Sequence, residues 1–231
     1  MSTIDGVPIS LRRLLLSQMK GEAVLDREEL ALFDWYARES SKLIEKMLEE
    51  ERAYIQEQVD SGVDRSDAND SGLFAVEYYT KRARYADIIY MASLLETYLA
   101  RACDQLTVAL GNNNIIFRPD ELSGDKWSKR RKFLERYGAF TFPEDVWSML
   151  ETLVRVRNIL VHENGSSASI SNSDRKEIQC RRGIAIGTHE LEIEDKYVED
   201  CLSAFRDLDI YIRQQITRAI DRSLCPSKIE E

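Results

Sequence analysis

Apolar residues recur every three to four positions along most of this chain, which is the spacing of one face of an α-helix. The stretches between them are rich in glycine, serine, asparagine or proline, as is typical of turns and loops. The pattern predicts four principal helices over residues 26–58, 73–110, 143–163 and 195–222, and two shorter ones over 9–20 and 126–137. An all-α fold is therefore expected.

The first principal helix is amphipathic, and its side rich in Glu, Lys and Arg is expected to face solvent. Its expected apolar side consists of Leu30, Phe33, Tyr36, Ala37, Leu43, Met47 and Tyr54. A loop is predicted over residues 60–72, where Ser, Gly, Asp and Asn dominate.

In the third principal helix, Trp147 is expected in the core, with a position at an interface as the alternative.

A small β-hairpin insert is predicted just before the last helix. Three short apolar pieces, at residues 178–180, 184–186 and 191–193, have the length of strands rather than helices. Gly183 and Gly187 fall where turns would be needed. Two or three short strands are therefore expected.

The chain has 231 residues and is 43% apolar, which is enough for a substantial core. We expect an N-terminal arm over residues 1–25 and a single helical domain over 26–231. No run approaches the roughly 18–20 apolar residues of a membrane span. Met1–Ser10 lacks the charged-then-apolar pattern of a signal peptide. A cytoplasmic location without membrane contact is therefore expected.

The four cysteines are scattered, and none stands in a CxxC pair. Cys103 and Cys201 fall within apolar helical patterns, so we expect them to be buried and reduced. The only histidines are His162 and His189, which leaves few soft ligands for zinc. No metal or other cofactor is expected, and His189 is predicted to be an exposed loop residue.

Three polar residues at the end of the third principal helix carry the candidate chemistry. Arg157 falls in the middle of an apolar arc, while Asn158 and His162 share a helix face because they are four positions apart. The helix is expected to stop at Asn164-Gly165, since both residue types tolerate a left-handed conformation. His162 would then lie in the last turn, where the helix dipole favours a protonated imidazole. A guanidinium, an amide and an imidazole together suit phosphate chemistry.

The same residues also allow a structural interpretation, in which Arg157 is a core arginine paired with an acid and His162 caps the helix. Glu96 is the one charged member of an otherwise small or apolar stripe of the second helix. We predict that Glu96 pairs with Arg157 and orients it. The alternatives are that Glu96 pairs with a nearby lysine or faces solvent.

A net charge of −9 argues against broad binding to duplex nucleic acid, which needs a basic face. The one basic concentration is the predicted helix over residues 126–137. Its Lys129, Arg130 and Arg131 are candidates for docking phosphate at the rim of a cleft. The alternative is that the basic helix is simply a solvated face.

The layout of four principal helices, with the third ending in Arg157-Asn158-x-x-x-His162-x-Asn164-Gly165, resembles the HEPN (higher eukaryotes and prokaryotes nucleotide-binding) family. The family's signature is an Arg, usually followed by a polar residue, and then a His after four to six intervening residues. The segment Ser93–Leu99 and Trp147 with the leucines after it extend the resemblance, which covers about residues 80–220.

This resemblance implies a HEPN-like helical bundle that dimerises, so that two copies of the Arg-His helix form one composite cleft. Many family members are metal-independent endoribonucleases, often toxins or antiviral defence effectors, and some have an antitoxin or another defence-system partner. Arg157, Asn158 and His162 would then be catalytic, with Glu96 in support. Lys129, Arg130 and Arg131 would be candidate RNA-binding residues, together with Arg155 on the stripe of Asn158 and His162. Other members are non-catalytic binding or assembly modules. A nucleotide-binding regulator paired with a nucleotidyltransferase-like antitoxin is a third expectation.

Overall fold

A computed structural model describes residues 3–4, 7–8, 27–68, 71–111 and 115–224. Within these ranges it contains six α-helices, which we number α1 to α6. They are α1 (Arg27–Asp60), α2 (Ser71–Leu110), α3 (Lys126–Gly138), α4 (Glu144–His162), α5 (Asn172–Gln179) and α6 (Asp195–Leu224). The all-α class predicted from the apolar spacing is confirmed. The helix predicted over residues 9–20 lies outside the described residues.

Four short strands accompany the helices in the described ranges. β1 (Thr3–Ile4) pairs antiparallel with β2 (Val7–Pro8). β3 (Ile184–Ile186) pairs antiparallel with β4 (Leu191–Ile193), with Ile184 opposite Ile193. The second pair confirms the hairpin predicted before the last helix.

A strand at residues 178–180 was one of the three that the sequence suggested, and this prediction is wrong. Ile178 and Gln179 instead end α5, and Cys180 caps it. The helix is favoured because the Ser171 hydroxyl accepts a hydrogen bond from the Asp174 N–H at 3.1 Å, which caps the first turn. Ile178 is the one buried residue of α5, so the helix has too little apolar periodicity to be recognised.

The chain forms two compact units, and each is assembled from separate stretches. Of the residues that the structure describes, the first unit takes those within Met1–Glu29, Ser93–Leu150 and Ser203–Glu231, and the second takes those within Leu30–Ala92 and Glu151–Leu202. Helices α1, α2, α4 and α6 each contribute residues to both units. The single domain expected over 26–231 stays a prediction.

An aromatic cluster forms much of the core of the first unit. Trp147 is fully buried, and its ring stacks on Trp127 with a centroid distance of 4.4 Å. The Phe142 ring lies 4.8 Å from Trp147, and Tyr98 contacts Phe205 edge-on at 5.6 Å. The core position predicted for Trp147 is thereby confirmed, and it anchors the first half of α4.

The second unit has an aliphatic core drawn from its helices and from β4. Its fully buried side chains include Ile88, Met91, Leu153, Val156, Ile178 and Leu191. Leu153 and Val156 are three positions apart on α4, so the helix turns one apolar face inward over this half as well. The polar residues near the end of α4 are therefore carried by a well-packed helix.

The apolar side predicted for α1 is only partly right. Leu30, Phe33 and Ala37 are buried, but the other predicted members are exposed. A second apolar stripe lies on the exposed side, with Leu32 64%, Tyr36 52%, Leu43 60%, Met47 40% and Tyr54 52% exposed. We call these five residues the α1 stripe. Both sets repeat with helical spacing, so spacing alone did not separate the buried side from the exposed one.

Cys103 and Cys201 are buried free thiols, as predicted, and Cys180 is an exposed one. Burial raises the pKa of both buried thiols to about 12. Cys225 lies outside the described residues. Among the described residues, no helix has both the length and the apolar character that crossing a membrane would require.

Candidate functional site

Helix α4 ends at His162, one residue before the predicted end. Asn164 and Gly165 follow in left-handed conformations, with φ of 51° and 77°. The N–H groups of Glu163 and Gly165 both donate to the carbonyl oxygen of Ile159, at 3.0 and 3.2 Å. These bonds satisfy a carbonyl of the last turn, and the chain reverses immediately after the histidine.

The reversal is fixed against α2 and β4. A Cβ on Gly165 would lie 2.8 Å from the Tyr85 hydroxyl oxygen, so only glycine fits there without a shift. The Leu191 N–H donates to the Gly165 carbonyl at 2.9 Å, and the Tyr85 hydroxyl donates to the Leu191 carbonyl at 2.7 Å. Burial raises the pKa of Tyr85 to about 12, so the phenol stays a neutral donor.

The structure brings Arg157 and Asn158 together and leaves His162 in solvent. Arg157 is half-buried, and its Nη1 donates to Asn158 Oδ1 at 3.0 Å. Asn158 and His162 are both exposed. The His162 imidazole has no hydrogen bond or ion pair with any other described residue. An imidazole that is not engaged within the chain is available to a ligand or to proton transfer.

Glu96 is half-buried on α2, in the part of the helix that belongs to the first unit, whereas Arg157 belongs to the second unit. The predicted ion pair between them stays a prediction. The Glu96 carbonyl oxygen accepts a hydrogen bond from Arg130 Nη1 at 2.7 Å. Arg130 therefore links α3 to α2 within the first unit.

The other two basic candidates on α3 also make intramolecular contacts. Lys129 Nζ donates to the Asp120 carbonyl at 3.1 Å. Arg131 Nε forms an ion pair with Glu135 at 2.7 Å, and its guanidinium lies 4.7 Å from the centroid of the Trp147 ring. Lys129, like Arg131, is only partly exposed. RNA binding by these residues stays a prediction, and each already has a structural role.

Arg155 connects α4 to α5. Its Nη1 donates to Asp174 Oδ1 at 2.9 Å. The pKa of Asp174 is lowered, first by a hydrogen bond from the Ser171 hydroxyl and then by Arg155. The carboxylate therefore stays charged, and the pair orients α5 beside the last turns of α4. RNA binding by Arg155 also stays a prediction.

Sequence reasoning missed two cations of α2 that lie beside the end of α4. Arg82 Nη1 is 3.5 Å from Asn164 Oδ1, and Arg82 Nη2 is 3.4 Å from Glu190 Oε1. Lys81 Nζ lies 2.7 Å from the other oxygen of Glu190. The hydrogen bond from Lys81 holds the pKa of Glu190 below its usual value, with Arg82 adding to the effect.

The sequence carried a signal for these cations, since Lys81-Arg82 follows closely on Tyr78-Tyr79. Adjacent aromatic and basic residues are typical of surfaces that bind single-stranded nucleic acid. The apolar stripe of this helix does not include these residues, so helical spacing alone gave no indication of them.

The second unit also contains a buried charged cluster away from these residues. Arg84 is 2% exposed and Asp87 is 3% exposed, and Arg84 Nη1 lies 3.1 Å from Asp87 Oδ2. Arg84 Nη2 donates to the Ser41 hydroxyl at 2.9 Å, and its Nε is in ion-pair contact with Asp195 without an aligned hydrogen bond. Arg84, Ser41 and Asp195 also line a cleft of about 350 Å³ that includes none of the predicted site residues. The contacts of the cluster join α1, α2 and α6, which gives it a structural role.

No group of three or more His, Cys, Asp or Glu side chains within the described ranges is arranged to hold a metal ion.

Comparison of the chain with models of protein families, with curated proteins and with solved structures finds no match.

Proposed function

We propose that this protein is a metal-independent endoribonuclease of the HEPN type, which cleaves single-stranded RNA at a cleft shared by two copies of the chain. The observation that carries the proposal is the exposed, unengaged imidazole of His162, one turn beyond the hydrogen-bonded Arg157 and Asn158 pair. The resemblance to the HEPN signature rests on these same three residues.

The reaction needs one base and one acid. A neutral imidazole takes the proton from a ribose 2′-hydroxyl, and that oxygen attacks the adjacent phosphorus. The bond to the 5′-oxygen breaks as a second, protonated imidazole gives that oxygen its proton. The products are a 2′,3′-cyclic phosphate and a 5′-hydroxyl. Two copies of His162 in a homodimer would supply both groups, since an imidazole can serve as a general base or as a general acid.

Arg157 and Asn158 would act on the phosphate. A guanidinium binds two phosphoryl oxygens at once and remains charged at any working pH, so it suits the negative charge that grows during attack. Asn158 fixes one nitrogen of that guanidinium, which limits its freedom before substrate arrives. DNA lacks the 2′-hydroxyl and should not be cut by this route.

The test is cleavage of a single-stranded RNA by the purified protein in the presence of EDTA. Wild type should release fragments with cyclic phosphate ends, and His162→Ala should be slower by about a hundredfold or more. His189→Ala is the matched control, because His189 is the only other histidine and is also exposed. Equal cleavage by wild type and His162→Ala would refute the proposal.

The second candidate is a non-catalytic binding or assembly module. It is favoured by the intramolecular contacts of the basic candidates Lys129, Arg130, Arg131 and Arg155 and by the net charge of −9. Under this alternative no preparation cleaves RNA, and His162→Ala weakens self-association, which analytical ultracentrifugation would measure.

A further inference from the structure

The first turns of α2 expose three aromatic side chains within six residues. Phe74 is 70% exposed, Tyr78 is 48% exposed and Tyr79 is 68% exposed. Exposed apolar residues scattered singly are normal, but a concentration of this kind marks a binding surface. Phe74, Tyr78 and Arg82 are four positions apart in turn, so they form one ridge along the helix. We call these three residues the α2 ridge.

The ridge combines aromatic faces with positive charge. The Arg82 guanidinium lies 5.1 Å from the centroid of the Tyr78 ring. Lys81, the residue before Arg82, adds a second positive charge. Both cations pair with a single carboxylate, Glu190. Glu190 therefore neutralises only one of the two positive charges. Glu77 is exposed one turn before Lys81 and partly offsets it. Stacking surface, rather than strong net charge, is thus the main property of the ridge.

The ridge leads to the proposed cleavage site. Arg82 Nη1 is 3.5 Å from Asn164 Oδ1. Asn164 is two residues after His162, so the Cα atoms of these two residues are at most about 7 Å apart. All of these residues belong to the second unit, and the contacts of Gly165 with Tyr85 and Leu191 fix their spacing.

We propose that the α2 ridge binds the bases of single-stranded RNA next to the scissile linkage, with Arg82 at the phosphate nearest His162. The inference rests on the proposed ribonuclease function and names how its substrate is held. Bases stack on aromatic rings irrespective of sequence, since every base has a π-face. Only unpaired bases are free to do so, so the surface selects single strands over duplexes.

The experiment measures RNA binding without cleavage. In the His162→Ala background, fluorescence anisotropy with a dye-labelled, unstructured RNA oligonucleotide gives the Kd. Phe74→Ala and Tyr78→Ala should each raise the Kd by about tenfold, because each removes one stacking surface. Tyr78→Phe keeps the ring and should stay close to the parent value. A DNA strand of the same sequence should bind with the same dependence on Tyr78 and should not be cut by wild type.

The matched control is Tyr36→Ala in the same background. Tyr36 is 52% exposed on α1, against 48% for Tyr78, and it belongs to the same unit. Its removal should leave the Kd unchanged. The thermal melting of each variant shows that the fold is retained.

Two outcomes overturn the inference. One is an unchanged Kd in both Phe74→Ala and Tyr78→Ala. The other is a change in self-association or protein binding in these variants without a change in RNA affinity, which would make the ridge a protein interface. Failure of wild type to cleave RNA, with ridge-dependent binding intact, would refute the nuclease proposal and leave the binding surface standing.

Discussion

Gly165 adopts a left-handed conformation after α4, and the absence of a side chain leaves the space that the Tyr85 ring occupies. The helix stop at Asn164-Gly165 could be predicted because it depends on the backbone preferences of two neighbouring residues. The contact with Tyr85 could not, since it joins positions far apart in the chain. The same limit applies to Arg157, whose position in an apolar arc was evident but whose bond to Asn158 was not.

Gly165→Ala should lower the free energy of unfolding by more than Gly62→Ala does. Both glycines have positive φ, at 77° and 99°, so both substitutions incur the backbone cost of roughly 1–2 kcal/mol. Only at Gly165 does the new Cβ also meet a ring, 2.8 Å from the Tyr85 hydroxyl oxygen, whereas no atom lies within 4 Å at Gly62. Urea denaturation of the two variants measures the difference, and equal losses would show that the ring moves aside freely.

At the scale of whole elements, the sequence predicted the presence of the long helices better than their orientation. Helix α1 carries two apolar sets with helical spacing, and burial of one rather than the other depends on what packs against it. Helix α5 was missed because its signal is a serine cap rather than apolar periodicity. Helical periodicity can be recognised from neighbouring residues alone. Which side of a helix is buried depends on the elements that pack against it.

Arg84 shows how a few buried charges join three elements. It contacts Ser41 on α1, Asp87 on α2 and Asp195 at the start of α6. Burial raises the pKa of Asp87, and Arg84 opposes this rise. The contribution of Asp87 to stability is therefore fully present below its ordinary pKa of 3.8 and is lost as the pH rises through the raised value.

Arg84→Met should lower the free energy of unfolding by about 3–5 kcal/mol at neutral pH, since it leaves a buried carboxylate without its cation. The pKa of Asp87 should rise further in this variant, so the deficit relative to wild type should shrink as the solution is made mildly acidic. Denaturant unfolding across pH measures this. The double variant Arg84→Met/Asp87→Asn lacks the titrating carboxyl, so its deficit relative to wild type should not shrink in acid. A constant deficit in the single variant would contradict the assignment to Asp87.

At the scale of the whole molecule, the class and order of the helices followed from the sequence, but the surface around the site did not. Arg82 and Asn164 are 82 positions apart, and no local pattern predicts that they meet. Local periodicity likewise does not predict which separate stretches of the chain form each of the two compact units. Long-range contacts of this kind add residues such as Arg82 to the candidate site, beyond the Arg157, Asn158 and His162 that the sequence pattern indicated.

A shared cleft predicts how mixtures of chains behave. If one cleft needs two copies of His162, every mixed dimer of wild type with His162→Ala lacks one imidazole. Adding excess His162→Ala to wild type, with time for subunit exchange, should therefore suppress RNA cleavage. Excess His189→Ala should instead add activity in proportion. Cleavage that is unaffected by added His162→Ala would mean that a single chain carries a complete site.

The exposed thiol of Cys180, at the end of α5, can be labelled with a fluorescent dye. Cys103 and Cys201 are buried, with pKa values of about 12, so a maleimide dye at neutral pH modifies Cys180 first among the described cysteines. After Cys225→Ser, one fluorophore would sit on the same unit as His162. Energy transfer to an acceptor on the end of an oligonucleotide would then report the polarity with which a strand lies across α2.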